Sequence, residues 1–175
     1  MITCFQAKIS VGKIISYAVL LCIMSISTGM TAQEQPPMPI KVEVNTSQFL
    51  NFGAFTTGTN AGTVTVDHTG NRTKTGDVFL LTLGASPSPA LFDITANPGT
   101  IIQISSPTSI ELTGTNGGVI FLDINSFSTG QTFITTANPP GVNEVFVGGT
   151  LRMENDSAAP PGRYNGQFSL TFIHQ

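Results

Sequence analysis

Gly162-Arg163-Tyr164-Asn165-Gly166-Gln167-Phe168-Ser169-Leu170-Thr171-Phe172-Ile173-His174-Gln175 decides the fold class. From Tyr164 on, the even positions read Tyr, Gly, Phe, Leu, Phe, His, and the odd positions read Asn, Gln, Ser, Thr, Ile, Gln. Successive side chains of a strand point to opposite faces, so this stretch presents one apolar and one polar face. It reads as an amphipathic β-strand that closes its domain, with no tail or anchor expected beyond it.

The pattern repeats upstream. After residue 32 no segment carries a helical period; apolar residues alternate or come in short bursts, separated by Gly, Pro or Asn. Strands are predicted at 40–44, 49–55, 62–66, 91–96, 101–105, 109–112, 119–127 and 132–134. Residues 67–76 read as a polar connection, and the apolar run 77–83 as a strand buried on both faces. Residues 144–153 read as two strand pieces, or as one kinked at Gly148-Gly149. Gly84–Pro89, Asn97-Pro98-Gly99 and Asn138-Pro139-Pro140-Gly141 are turns and loops. The expected fold is all-β: a single Ig-like or pilin-like antiparallel β-sandwich of roughly nine to eleven short strands.

The N-terminus is a different kind of sequence. Lys8 and Lys13 precede a mostly apolar stretch from Ile14 to Ile26, followed by Gly29-Met30-Thr31-Ala32 and then the polar Gln33-Glu34-Gln35. That layout predicts a secretory signal peptide over 1–32. A spanning helix needs roughly 20 apolar residues, and Ser16, Ser25, Ser27 and Thr28 interrupt this one. No membrane insertion is therefore expected after cleavage. Residues 33–39 read as an extended lead-in and 40–175 as the β-sandwich domain. Leu21 before Cys22 is not the small residue that lipid attachment requires. Cys4 and Cys22 both lie in the signal, so the domain must hold together without a disulfide.

Without Lys8 and Lys13, five basic residues face ten acidic ones. No basic patch exists, so nucleic acid is not an expected partner. The location expected is outside the bacterial inner membrane, at the cell surface, in the medium or in the periplasm.

Several pieces then acquire a shared context. Leu50-Asn51-Phe52-Gly53 precedes Gly62-Thr63-Val64-Thr65-Val66, Phe92-Asp93-Ile94-Thr95 runs into Pro98-Gly99-Thr100, and Val147-Gly148-Gly149-Thr150-Leu151 leads to the closing strand. In this order, over most of 40–175, they resemble the bacterial secreted family called domain of unknown function 4402. The resemblance implies an exported β-sandwich and brings no agreed activity. The ending is also similar to bacterial pilin subunits and spore-coat-protein-U type domains. Gly162 is the fourteenth residue from Gln175, where chaperone–usher pilins carry a glycine, but His174 stands where they carry an aromatic. Such pilins accept a strand from a neighbour. That resemblance makes Ile40, Val42 and Val44 the face of a candidate donor and Phe168, Leu170 and Phe172 the face of a second assembly strand. The residues alone equally fit a domain whose own first strand is 40–46, and this is the preferred of the two readings.

His68 and His174 are the only histidines, no Gly-x-Ser-x-Gly elbow occurs, and no cysteine follows residue 32. No catalytic residue, cofactor or metal is expected, and the protein is not expected to be an enzyme. Asp67, Asn71 and Asp77, and separately Asn155 and Asp156, have the side-chain oxygens of calcium ligands, but no Asp-x-Asp-x-Asp-Gly loop occurs, and Asp and Asn are also ordinary turn formers. With Trp absent and Tyr164 the sole tyrosine after Tyr17, a carbohydrate-binding module is poorly supported. Asp156-Ser157-Ala158 matches a bacterial periplasmic O-glycosylation signal, making Ser157 a candidate acceptor; Asn45, Asn71 and Asn155 open Asn-x-Ser/Thr triplets.

The function expected is a secreted structural or cell-surface protein, fimbria-like, that pairs with itself or with other surface subunits through its strands. The alternative is a monomeric extracellular or periplasmic binding module. Its small-molecule ligand, unknown from sequence, would sit on loops such as 67–77 or 135–143.

Overall fold

The strand that organises the molecule is Asn143–Met153, and it is one continuous strand rather than two pieces. In a computed structural model that describes residues 39–44, 47–154 and 159–175, eleven strands are numbered in chain order. They are β1 (Lys41–Val44), β2 (Phe55–Val66), β3 (Arg72–Leu80), β4 (Ala90–Thr95), β5 (Ile101–Ser105), β6 (Ile110–Gly114), β7 (Val119–Phe127), β8 (Thr132–Ile134), β9 (Asn143–Met153), β10 (Tyr164–Asn165) and β11 (Thr171–His174). No helix occurs among the described residues, which all belong to one compact unit, Pro37–Gln175. The expected signal peptide, most of the lead-in, Asn45, Asn155, Asp156 and the acceptor Ser157 lie outside the described residues.

Every strand pair is antiparallel. The larger sheet runs β1-β4-β9-β7-β6-β10, and the β2–β3 hairpin joins it through β9. One edge of β9 is thus divided. Asn143–Val147 pairs with β4, Gly149–Met153 pairs with β2, and the opposite edge takes β7. The smaller sheet is β11-β5-β8. The two pack as a sandwich around Val64, Val66, Ile94, Ile102, Val145 and Val147, all fully buried. Fully burying one such side chain stabilises by about 1.5–3 kcal/mol. The ion pairs Lys41–Glu43 and Arg152–Asp123 are exposed, where solvent screening leaves little net gain. Packing, not charge, therefore holds this domain.

The sheets exchange strands at one corner. The closing segment pairs with β6 through Tyr164–Asn165 and with β5 through Thr171–His174. Pro107, which has no N–H to donate, lies between β5 and β6. Opposite it, residues 166–170 leave the ladder. The predicted single strand 162–175 is therefore split, although its alternation survives: Tyr164, Phe168, Leu170 and Phe172 are half-buried and their neighbours exposed.

Other expectations need correction. Residues 49–55 do not form a strand; apart from an Asn51–Ser88 bridge this segment is extended but unladdered, and β2 begins at Phe55. The connection predicted over 67–76 is only the turn before Arg72, because β3 starts there. The run 77–83 is not buried on both faces. It falls partly in β3, whose sole partner is β2, and Phe79 is 56% exposed beneath Lys74. The apolar run misled because Phe79 and Leu83 are exposed at the margin of the fold rather than in its core.

Gly148 and Asp67 bring the β2–β3 turn against the sheet. A Cβ on Gly148 would meet the Val66 carbonyl and the Asp67 backbone, so close approach excludes any side chain there. Asp67 Oδ1 accepts from the Thr69 hydroxyl and from the backbone N–H groups of Thr69 and Asn71, at 2.6–3.0 Å. The Thr69 hydroxyl bond does most to hold its carboxyl below the usual carboxylate range, opposed by partial burial and helped by the two N–H bonds and His68. Gly148→Ala is expected to destabilise by about 1–3 kcal/mol through overpacking; an unchanged urea midpoint would refute the close-approach argument. Because the folded-state pKa of Asp67 is depressed, its contribution is present above pH ~4 and lost as pH falls through the folded value. The stability difference between wild type and Asp67→Ala should then be larger at pH 7 than at pH ~2, and equal differences would count against this capping role.

Candidate functional site

At one end of the sandwich the core is open. A groove of about 770 Å³ lies between the extended segment 49–57 and the segment 160–168. Its floor is made by Leu112, Ile120, Leu122 and Leu151, which elsewhere count as core and are at most 7% exposed. The walls carry Phe49, Leu83, Pro161 and Phe168 among others. Phe49 and Leu83 are 63% and 65% exposed, a large apolar area to leave facing water at one opening.

Each wall has an identifiable cause. The first is pinned by Arg72. Its Nη1 donates to the carbonyls of Phe52 and Ala54 at 3.0 and 3.1 Å, and its Nη2 to that of Leu81 at 3.0 Å. The Ala54 carbonyl also accepts the Leu81 N–H at 2.9 Å, so the guanidinium ties the wall to the chain just after β3. Gly53 adopts φ +69°, and a Cβ there would stand 2.6 Å from Arg72 Nη1, so glycine lets the wall bend around the guanidinium. The second wall is set by Tyr164, whose hydroxyl donates to the Pro160 carbonyl at 2.7 Å; burial raises its pKa. Asn116 Nδ2 donates to the Pro161 carbonyl at 2.6 Å from the β6–β7 turn.

The groove also offers backbone. Among the described residues, the peptide groups of 166–170 join no ladder. Such groups need hydrogen-bond partners when apolar material covers them. The site therefore fits an occupant that brings both apolar side chains and peptide groups.

The sequence-derived assembly residues gather around β4. β1 pairs with β4 of the same chain, Val42 opposite Ile94 and Val44 opposite Phe92. Ile40 packs against the core, and Val42 remains 37% exposed. From the other side, the Phe168 and Phe172 rings lie 6.3 and 5.9 Å from the Phe92 ring, and Leu170 packs on the same core.

The residues weighed for chemistry are dispersed. His68 lies in the β2–β3 turn, with its backbone N–H donating to Ser126 Oγ and its Nδ1 3.0 Å from that atom. His174 ends β11 in the smaller sheet. Asp77 accepts from Asn60 at the irregular part of β2, apart from the Asp67–Asn71 turn. Among the described residues no three His, Cys, Asp or Glu side chains form a metal-binding group. A second, shallower cavity of about 490 Å³ adjoins the loop after β8, lined by Phe133, Ile134, Val142 and Glu144.

Sequence reasoning missed the groove because it depends on what segment 49–55 fails to pair with. Gly53 and Pro160-Pro161-Gly162 were the available signals. Arg72 was hidden inside a stretch read as a polar connection.

The family model described as "Domain of unknown function (DUF4402)" matches residues 42–173, and the chain belongs to that family. No curated protein and no solved structure matches it.

Replacing Arg72 by Met would leave two carbonyls of the groove wall, and that of Leu81, without their charged donor. The expected loss is about 2 kcal/mol, with incomplete rescue by Arg72→Lys because an ammonium lacks the planar fork. Equilibrium urea unfolding measures both, and a Met variant as stable as wild type would refute the pinning role.

Proposed function

We propose that this member of the domain-of-unknown-function 4402 family is an exported, non-enzymatic structural protein of the bacterial cell surface. In this reading it is a fimbria-like subunit whose groove takes up an extended strand from a neighbour. The observation that carries the reading is an apolar opening onto core side chains, bordered by peptide groups outside any ladder. An acyl chain would cover the apolar floor but leave those peptide groups unpaired. An added strand serves both, with backbone bonds giving affinity and alternate side chains giving fit.

The donor segment proposed is the β1 region of another copy, with Ile40, Val42 and Val44 directed into the groove. β1 is an edge strand with one partner, four register pairs, and exposed Lys41, Val42 and Glu43. On the receiving side Phe168 lines the groove, with Leu170 and Phe172 packed on the core beyond it. The alternative binding module draws support from the smaller cavity, which overlaps the 135–143 loop through Thr136, Ala137 and Val142.

A surface fraction run on SDS gels with and without boiling tests the first reading. Strand-donated assemblies are expected to give a ladder that collapses on heating, and Val42→Glu is expected to abolish it while the monomer stays folded. A single monomer band in both lanes removes strand donation. Unfolding of the Val42→Glu monomer would instead make β1 an obligatory part of its own domain.

A further inference from the structure

The two apolar openings lie at opposite ends of β9. Val142, Asn143 and Glu144 line the smaller cavity, and Leu151 lines the groove. The seven residue steps from Glu144 to Leu151 span about 24 Å at ~3.4 Å per residue. Of the eight large exposed hydrophobics among the described residues, Phe49 and Leu83 line the groove and Ile134 and Val142 line the far cavity, with Ile101 paired to Ile134. Each pole thus carries exposed apolar side chains.

The poles differ in charge. Arg163 is the one charged side chain lining the groove, and Glu144 is the one lining the far cavity. Neither side chain has a hydrogen-bond or ion-pair partner among the described residues. Glu111 and Glu154 lie near the groove end but do not line it. Glu144 also ends a row of acids, because strand register places Glu43 opposite Asp93 and Asp93 opposite Glu144. Lys41 bridges Glu43 at 2.6 Å, at the far end of the row from Glu144. A cation arriving beside Glu144 would meet the exposed carboxylate that ends this row.

We infer that copies of this chain contact one another head to tail, the Glu144–Val142–Ile134 pole of one docking on the Arg163–Phe49–Leu83 pole of the next. This rests on the reading of the protein as a self-assembling subunit and names the partner of its groove as a second copy approaching by its acidic pole. β1 belongs to that pole, since Glu43 is in its row, so the contact also delivers the proposed donor strand to the groove. Two different poles make a heterologous contact, and one that does not close into a ring builds a filament.

Charge exchange tests the contact. Glu144→Arg and Arg163→Glu, each in the full exported protein, are expected to weaken self-association at least about tenfold by sedimentation velocity. The double variant is expected to recover most of it, which a folding defect could not produce. Single variants that associate like wild type overturn the inference. So does a double variant no better than the weaker single, or a wild type that stays monomeric at about 1 mM. The SDS gel separates this from strand donation. Charge-dependent association without an SDS-resistant ladder keeps the head-to-tail contact and removes donation. A heat-labile ladder indifferent to both reversals does the opposite.

Discussion

Everything in this fold leans on the ladder around β9. Its Val145, Val147, Leu151 and Met153 are buried, and its two edges collect β2, β4 and β7. Gly148 and Gly149 at its middle let the β2–β3 turn on one side and the β7 bulge on the other approach the backbone. A side chain at Gly148 would push the hairpin off the sheet. No disulfide is available after residue 32 to compensate, so the packing around this strand carries the domain.

Alternation was the legible part of the sequence. Val119–Phe127 and Thr132–Ile134 are strands at the bounds the pattern gives, and the closing segment keeps its two-faced burial even where it leaves the ladder. Side-chain period is a local property, and local properties can be read one residue at a time. What failed was long-range. Phe49–Ala54 has the composition of a strand but finds only the isolated Asn51–Ser88 bridge, and the 77–83 run is apolar without being enclosed. Register between distant strands created the row Glu43, Asp93, Glu144, and no spacing in the sequence foreshadows it. Arg72 shows the same limit, since its three carbonyl partners come from segments 9 to 20 residues away.

The candidate site is a gap in the architecture rather than a constellation of reactive groups. His68 lies in the β2–β3 turn and His174 at the end of β11, Asp67 caps a turn, and Asp123 pairs with Arg152. What the domain concentrates instead is apolar surface at the two ends of its longest buried strand, with an arginine at one end and carboxylates at the other. That distribution suits recognition between extended protein surfaces better than capture of a small polar molecule.

The order of strands along the chain has a consequence for timing. β9 occupies residues 143–153, so its partners are synthesised long before it; Thr65 waits for Thr150 across 85 residues. Until β9 emerges, β2, β4 and β7 have no common neighbour, and the short hairpins they form are marginal in water. Folding of such a non-local topology is slow and held back by loop closure. A nascent chain of this design stays open until residues 143–153 have emerged, and its apolar strands need shielding for just that interval.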